Sequence, residues 1–210
     1  MGVPILIIGK SGSGKSASLR NFPEAGVINV LGKPFPFRGK VNSVVSRDYA
    51  YIKAALMKSN AKSMVIDDAG YLITDQFMTN HANAGGGNAV FSLYNDIGDQ
   101  FYQLVQFVIQ KLPADKLVYF IMHEDKNEAG DIKPKTIGKL LDEKVCVEGM
   151  FTVVLRCTVS GERHVFLTQS NGYDIQKTPM GMFENMEIDN DLKTVDETVR
   201  EYWNLGGTES

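Results

Sequence analysis

Cysteine is scarce in this chain. Cys146 and Cys157 are the only two among 210 residues, and together with His81, His123 and His164 they show no zinc-ligand spacing. A disulfide framework and a structural zinc are both excluded as what holds the fold together. A chain of this length buries roughly 70% of the surface its unfolded form exposes and needs neither. Long hydrophobic runs are also missing. Although 43% of the residues are hydrophobic, no stretch approaches the roughly 18 residues of a membrane span. The start lacks the layout of a signal peptide, because Pro4-Ile5-Leu6-Ile7-Ile8 leads straight into a glycine-rich segment that cleavage would destroy. Leu6 stands where a myristoylation signal after Gly2 needs Ser or Thr. These absences lead us to expect a cytoplasmic protein without a membrane partner. A basic excess is lacking as well: 22 Lys and Arg against 25 Asp and Glu give a net charge of −3. That excludes a protein that coats nucleic acid through bulk charge. Contact with DNA would need local loops or charge gathered by assembly.

What is present reads as α/β. Residues 4–8 and 64–66 and Leu117 to Met122 are short, wholly apolar runs, as expected of parallel strands buried on both faces. Val27 to Leu31 is a further strand candidate. Lys15 to Asn21 reads as a helix ended by Pro23, Asp48 caps a helix running to about Lys58, and another covers residues 71–80. Ile97, Phe101, Leu104, Val105, Val108 and Leu112 follow helical spacing up to Pro113. A short helix is expected near Thr136 to Leu141, and a last one from Asp191 to Trp203. Phe151 to Val159 and Arg163 to Gln169 form a hairpin around Ser160-Gly161. The order predicts a mostly parallel central sheet with helices on both faces and an antiparallel hairpin at one edge. We expect one domain over 1–205 and a flexible tail over 206–210.

Gly9-Lys10-Ser11-Gly12-Ser13-Gly14-Lys15-Ser16 fits G-x-x-x-x-G-K-[ST] completely, between an apolar strand and a helix. The glycines let successive N–H groups face one anion, and the helix start, from Ala17 onward, adds its positive end. Lys15 would reach the β- and γ-phosphates of ATP, and Ser16 would supply a hydroxyl to Mg²⁺. Ser63-Met64-Val65-Ile66-Asp67-Asp68 reads as a Walker B strand. Asp67 would hold Mg²⁺, and Asp68 either polarises the attacking water or simply ends the strand. His123, closing another apolar run, either contacts the γ-phosphate or bonds to backbone. All of these fall at strand carboxyl ends, where ligands bind in such sheets.

Three segments have the composition of loops that could meet DNA. His81 to Asn88 has small residues and no basic side chain except the histidine itself. Glu124 to Lys135 mixes Lys126, Lys133 and Lys135 with Glu124, Asp125, Glu128 and Asp131. Both read mainly as solvated loops. The Lys33–Lys40 segment interleaves Phe35 and Phe37 with Lys33, Arg38 and Lys40, which suits either base stacking or packing of the rings on the domain.

The chain resembles the small bacteriophage RecA-like P-loop ATPases of the AAA family, close to the Sak-type core-only recombinases and single-strand annealing proteins. The resemblance spans nearly the whole chain. It includes Gly9–Ser16, Gly32-Lys33-Pro34, Val65-Ile66-Asp67-Asp68, Val118–His123, Lys135–Lys139, Glu148–Arg156 and Lys177–Phe183. It implies a RecA-like fold and ATP-dependent work in phage DNA recombination, repair or replication. It also implies single-stranded DNA and a single-strand-binding protein as partners, and assembly into a ring or filament. It places Lys177, or else Arg156, where a basic residue reaches the γ-phosphate of a neighbouring subunit. The glutamate that RecA-like enzymes carry after the second strand is missing from Ile28-Asn29-Val30-Leu31.

Three rivals are distinguishable. A small-molecule kinase needs an arginine-rich lid, and the six arginines here are not clustered. Asp67-Asp68-Ala69-Gly70 fits the D-x-x-G of a GTPase, but no Asn-Lys-x-Asp follows. An ATP-switched adaptor, such as a helicase loader or recombination scaffold, is the alternative that the missing glutamate favours.

Overall fold

The computed structural model describes residues 1–83, 85, 88–137, 140–172 and 174–206. Of the expected tail, only Gly206 lies among them. Residues 84, 86 and 87 of the glycine-rich loop, and 138 and 139 of the expected short helix, lie outside.

A continuous sheet of mixed strands organises the chain. Six strands run parallel in the order β3 (Asn42–Val45), β2 (Gly26–Asn29), β4 (Ser63–Asp67), β5 (Leu117–Lys126), β1 (Val3–Gly9) and β7 (Val153–Ser160). β8 (Arg163–Leu167) and β9 (Glu187–Asp189) continue that edge by antiparallel pairing. β6 (Ile132–Pro134) pairs antiparallel with the outer half of β5. The edge hairpin and the mostly parallel centre are as expected from the sequence.

Both faces of the central strands are covered, which is why their sequences are apolar throughout rather than alternating. Leu6, Ile8, Ile66, Val118, Phe120 and Met122 face one core, filled by α1 (Tyr49–Lys58), α2 (Gly70–Asn80) and α3 (Asn88–Lys111). Ile5, Ile7, Val65, Tyr119 and Ile121 face the other, with α4 (Leu192–Tyr202) and the turn that carries Leu19 and Phe22. Asp48 caps α1 by accepting from the Tyr51 N–H, and Asp191 caps α4 by accepting from the Lys193 N–H.

Several elements differ from expectation. The residues after the glycine loop form a 3₁₀ helix, Ser16–Asn21, rather than an α-helix. Leu19 and Phe22, both buried, are three apart, and 3₁₀ geometry stacks such a pair on one side. β5 does not stop at Met122 but runs on to Lys126, so the segment expected to be a loop is a β5–β6 hairpin. β3 and β9 have partly or fully exposed side chains and only a few residues each, so no hydrophobic period marks them. In place of the short helix near Thr136, the described residues show a π turn at Leu140–Lys144.

α4 is fastened at the amino end of β4 and β5 by a buried polar cluster. The Asp196 carboxylate accepts from Ser63 Oγ (2.6 Å), Tyr119 Oη (2.8 Å) and Arg200 Nε (2.7 Å). Arg200 also donates to the carbonyls of Asp115 and Lys62, at 3.0 Å each. Removing the acid leaves the fully buried Tyr119 phenol without its acceptor and takes from Arg200 its ion-pair partner. We expect Asp196→Ala to lower unfolding free energy by about 3–5 kcal/mol in urea titrations, with Asp196→Asn costing less. A change below about 1 kcal/mol would show that the cluster does not hold the helix.

Candidate functional site

The site lies at the carboxyl end of β1, which sits between β5 and β7. Gly9 is opposite His123 on one side, and Ile8 is opposite Arg156 on the other. The chain turns sharply there. Gly12 and Gly14 have φ of +79° and +101°, a region that costs side-chain-bearing residues energy. A Cβ on Gly9 would stand 2.4 Å from the Cys157 carbonyl oxygen, and one on Gly14 would stand 2.9 Å from the His164 ring. The loop is therefore closely walled by β7 and β8. His164 Nδ1 lies 2.8 Å from the Ser13 carbonyl oxygen. Because a carbonyl only accepts, the ring donates from Nδ1. The Cys157 thiol donates to the same oxygen at 3.0 Å.

Lys15 lies inside this curl, 6% exposed. Its ammonium donates to the carbonyls of Gly9 (2.9 Å) and Lys10 (2.8 Å). Burial pulls its pKa below the ordinary lysine value, and the charges of Asp68, Asp67 and Glu124 oppose that fall. Ser16 Oγ donates to Asp67 Oδ1 at 2.9 Å, so the two residues expected to hold Mg²⁺ already touch. Burial, and then the charge of Asp68, raise the Asp67 pKa from 3.8 to about 6. Asp68 adopts a φ of +61°. Its carboxylate meets Lys33 Nζ at 2.7 Å and stands 3.6 Å from His123 Nε2. Burial pushes the Asp68 carboxyl up, but the contacts from His123 and Lys33 outweigh it and hold the group below its ordinary pKa.

The residues present fit a Mg-nucleotide. Ser13 Oγ is a buried polar atom without a hydrogen-bond partner, at the inner wall of the loop. The glycines leave a cradle that side chains would fill. Ser16 and Asp67 are hard oxygen donors, and no group of three or more metal-ligating acids, histidines or cysteines stands among the described residues. That donor set suits Mg²⁺, which keeps waters and takes its remaining oxygens from phosphate. A cavity of about 460 Å³ opens on the β4–β5 side, lined by Lys10, Ser11, Lys33, Tyr71, His123 and Glu124. Another, of about 720 Å³, lies beyond Ala17, against Arg20, His164, Phe183 and Asn190.

Lys10, Ser11, Lys15, Ser16, Asp67, Asp68 and His123 are thus brought together. His123 lies within β5 rather than at its end, its ring edge-on to Tyr71. Lys177 is not gathered with them. Its backbone bridges Val154, in line with Leu6 and three residues short of Gly9. Arg156 is not turned outward for a neighbouring subunit, because it makes a bidentate pair with Glu124 at 2.7 and 2.9 Å. Phe35 and Phe37 pack against the second core and each other, ring centroids 5.6 Å apart, rather than standing free for bases.

Glu124, which its sequence surroundings place in a solvated loop, is part of the site. Its side chain is only 3% exposed, and its pair with Arg156 spans the top of β1. The available signal was its place directly after His123 in an extended run. For Lys33 the sequence offers a place in a basic, aromatic loop and in the Gly32-Lys33-Pro34 segment of the resemblance, with no role attached to it.

The titration of Asp67 has a measurable sign. A carboxyl whose folded-state pKa lies above its unfolded value costs nothing at low pH, and the cost grows as pH rises through the folded value. A rise from 3.8 to about 6 corresponds to about 3 kcal/mol. Without Mg²⁺ and nucleotide, Asp67→Asn should raise Tm by several degrees at pH 8, with a smaller gain at pH 5. A gain independent of pH, or a loss at pH 8, would contradict this.

Comparison with known proteins agrees with the geometry. Among curated proteins no match is found. The AAA-domain family model matches residues 1–179, most of the chain. The chain therefore belongs to the AAA-domain family, whose members are P-loop nucleotide-binding proteins and generally ATPases.

Proposed function

We propose that this protein binds Mg·ATP and hydrolyses it, and that the reaction serves phage-type DNA recombination, repair or replication, with the protein assembled on single-stranded DNA. The observation that carries the first part is the contact between Ser16 and Asp67 beside a glycine curl holding Lys15. Lys15 would exchange its two carbonyl partners for phosphate oxygens, and the main chain of residues 9–16 would cradle the triphosphate. Ser16 and Asp67 would hold Mg²⁺, which would supply neutralisation of charge on the phosphate oxygens. Asp68 would orient the attacking water, and His123 would touch the γ-phosphate. The cavity beyond Ala17 offers room for the nucleoside.

The DNA role rests on the family resemblance and on one connection. The Lys135 N–H donates to the His123 carbonyl at 2.8 Å. A shift at His123 on hydrolysis would therefore reach the β5–β6 hairpin, which carries Lys126 and Lys133. Lys177 would act from a neighbouring subunit in a ring or filament, and a single-strand-binding protein is the expected companion. No helix among the described residues is long and apolar enough to cross a membrane.

A second reading, an ATP-switched adaptor, is favoured by one observation. β2 ends in Asn29, a neutral residue, where a catalytic glutamate is expected. Asp68→Asn separates the two readings: an adaptor keeps its biological activity when hydrolysis alone is lost, and an ATP-driven motor does not.

The direct test is ATP turnover and particle mass, with and without single-stranded DNA. We expect slow turnover in the monomer, rising with protein concentration and DNA as mass increases. Lys15→Ala should lower turnover at least about 100-fold. Fast turnover independent of concentration and of DNA would overturn the assembly reading. Turnover that survives Lys15→Ala would overturn the ATPase assignment.

A further inference from the structure

The motif Gly32-Lys33-Pro34 begins three residues after β2, and its turn is built with care. Asn29, nearly buried, accepts the Gly32 N–H through Oδ1 at 2.8 Å and donates Nδ2 to the Lys33 carbonyl at 2.7 Å. Gly32 has a φ of +68°, which the turn requires and glycine tolerates. Held this way, Lys33 points back into the molecule. Its ammonium lies 2.7 Å from Asp68 Oδ2 and 5.9 Å from the centre of the Tyr71 ring. The Lys33 side chain is 59% exposed and that of Asp68 only 7%. An ion pair with one exposed partner adds little stability. Yet this one is made by a buried amide clamp on one side and a residue at positive φ on the other. Strain of that kind concentrates where geometry serves function.

Lys33 also lines the 460 Å³ cavity with Lys10, Ser11 and His123. Asp67, next in sequence to its partner, would hold Mg²⁺ with Ser16 and so mark the metal-bearing end of a bound triphosphate. The cation therefore stands at the γ-phosphate end of the loop, in the turn that follows β2, the strand neighbouring β4 and the one after which the expected glutamate is missing.

We propose that Lys33 is a catalytic cation supplied by the same chain, and that its pair with Asp68 is the resting arrangement of the empty site. This rests on the Mg·ATP reading given above. With nucleotide bound, the Lys33 ammonium turns from Asp68 to the γ-phosphoryl oxygens, which frees Asp68 Oδ2, the oxygen Lys33 holds at rest, for water. The water oxygen forms a bond to Pγ as the bond from Pγ to the β–γ bridging oxygen breaks. That oxygen leaves with the electron pair on ADP. The water proton passes to Asp68 and then to solvent, giving ADP, inorganic phosphate and H⁺. Lys33 neutralises the charge spread over the equatorial oxygens in the transition state, a place where one cation or donor is commonly worth 10² or more in rate. The missing glutamate of β2 is then replaced by a division of labour, with the acid on β4 and a cation on the β2 turn.

The test compares wild type with Lys33→Ala and Lys33→Arg. It measures steady-state turnover, affinity for Mg·ADP, and the tightening of ADP binding by aluminium fluoride, a mimic of the transferring phosphoryl group. We expect Lys33→Ala to bind ADP within about twofold of wild type, to lose about 100-fold in turnover and to lose the aluminium fluoride effect. Lys33→Arg should recover part of both. The loss should be the same fold with and without single-stranded DNA, whereas a residue reaching over from a neighbour would affect only the assembled protein. Turnover and fluoride tightening within threefold of wild type in Lys33→Ala overturn the proposal, as does an equal loss of ADP affinity and turnover. Wild type that binds ADP but gains nothing from aluminium fluoride overturns it too, with the P-loop reading left intact. Wild type that binds no ADP removes both.

Discussion

A nearly buried ammonium, that of Lys15, governs the carboxyl end of this sheet. A charge in such a place demands partners. In the empty protein they are the carbonyls of Gly9 and Lys10, with Asp67, Asp68 and Glu124 close enough to matter electrostatically. The loop can supply those carbonyls only because glycine permits its turns, and it can lie against β7 only because Gly9 has no side chain. A triphosphate entering the site would exchange one set of oxygens around Lys15 for another. The site is charge-balanced before its ligand arrives, which favours exchange of partners over simple filling of a hole.

Two ion pairs flank that ammonium, and they divide the site. On the β7 side, Arg156 and Glu124 join across the top of β1 with two hydrogen bonds, and both side chains are mostly buried. On the β4 side, Lys33 and Asp68 meet with one partner exposed. An ion pair with one exposed partner adds little stability, so little is lost if Lys33 turns to a phosphate oxygen. The asymmetry sets a mostly buried pair on one side of the loop against a half-exposed pair on the other.

Much of the fold was legible in the sequence, for physical reasons. β1, β4 and the first part of β5 are buried on both faces, so their apolar runs are unbroken. The stripe from Ile97 to Val108 faces one core along α3. The P-loop could be read because its spacing is its mechanism, and Asp67 because an acid ending a buried strand is unusual. β3, β6 and β9 were not legible. They have three or four residues each and owe their form to the strand beside them. The bonds of Lys33 with Asp68 and of Arg156 with Glu124 join residues more than thirty positions apart. No local pattern encodes such a contact, so Glu124 read as one more loop acid and Lys33 as one more loop base. The 3₁₀ geometry at Ser16–Asn21 was hidden likewise, because it follows from how Leu19 and Phe22 pack.

Everything at this end of the sheet depends on whether residues 9–16 grip the phosphate tail of a nucleotide. Calorimetric titration with Mg·ATP, set beside inorganic tripolyphosphate with the same metal, tests it most directly. We expect saturable heat for both ligands at one site per chain, with the nucleotide binding more tightly. Folded protein that gives no saturable heat with either would contradict it.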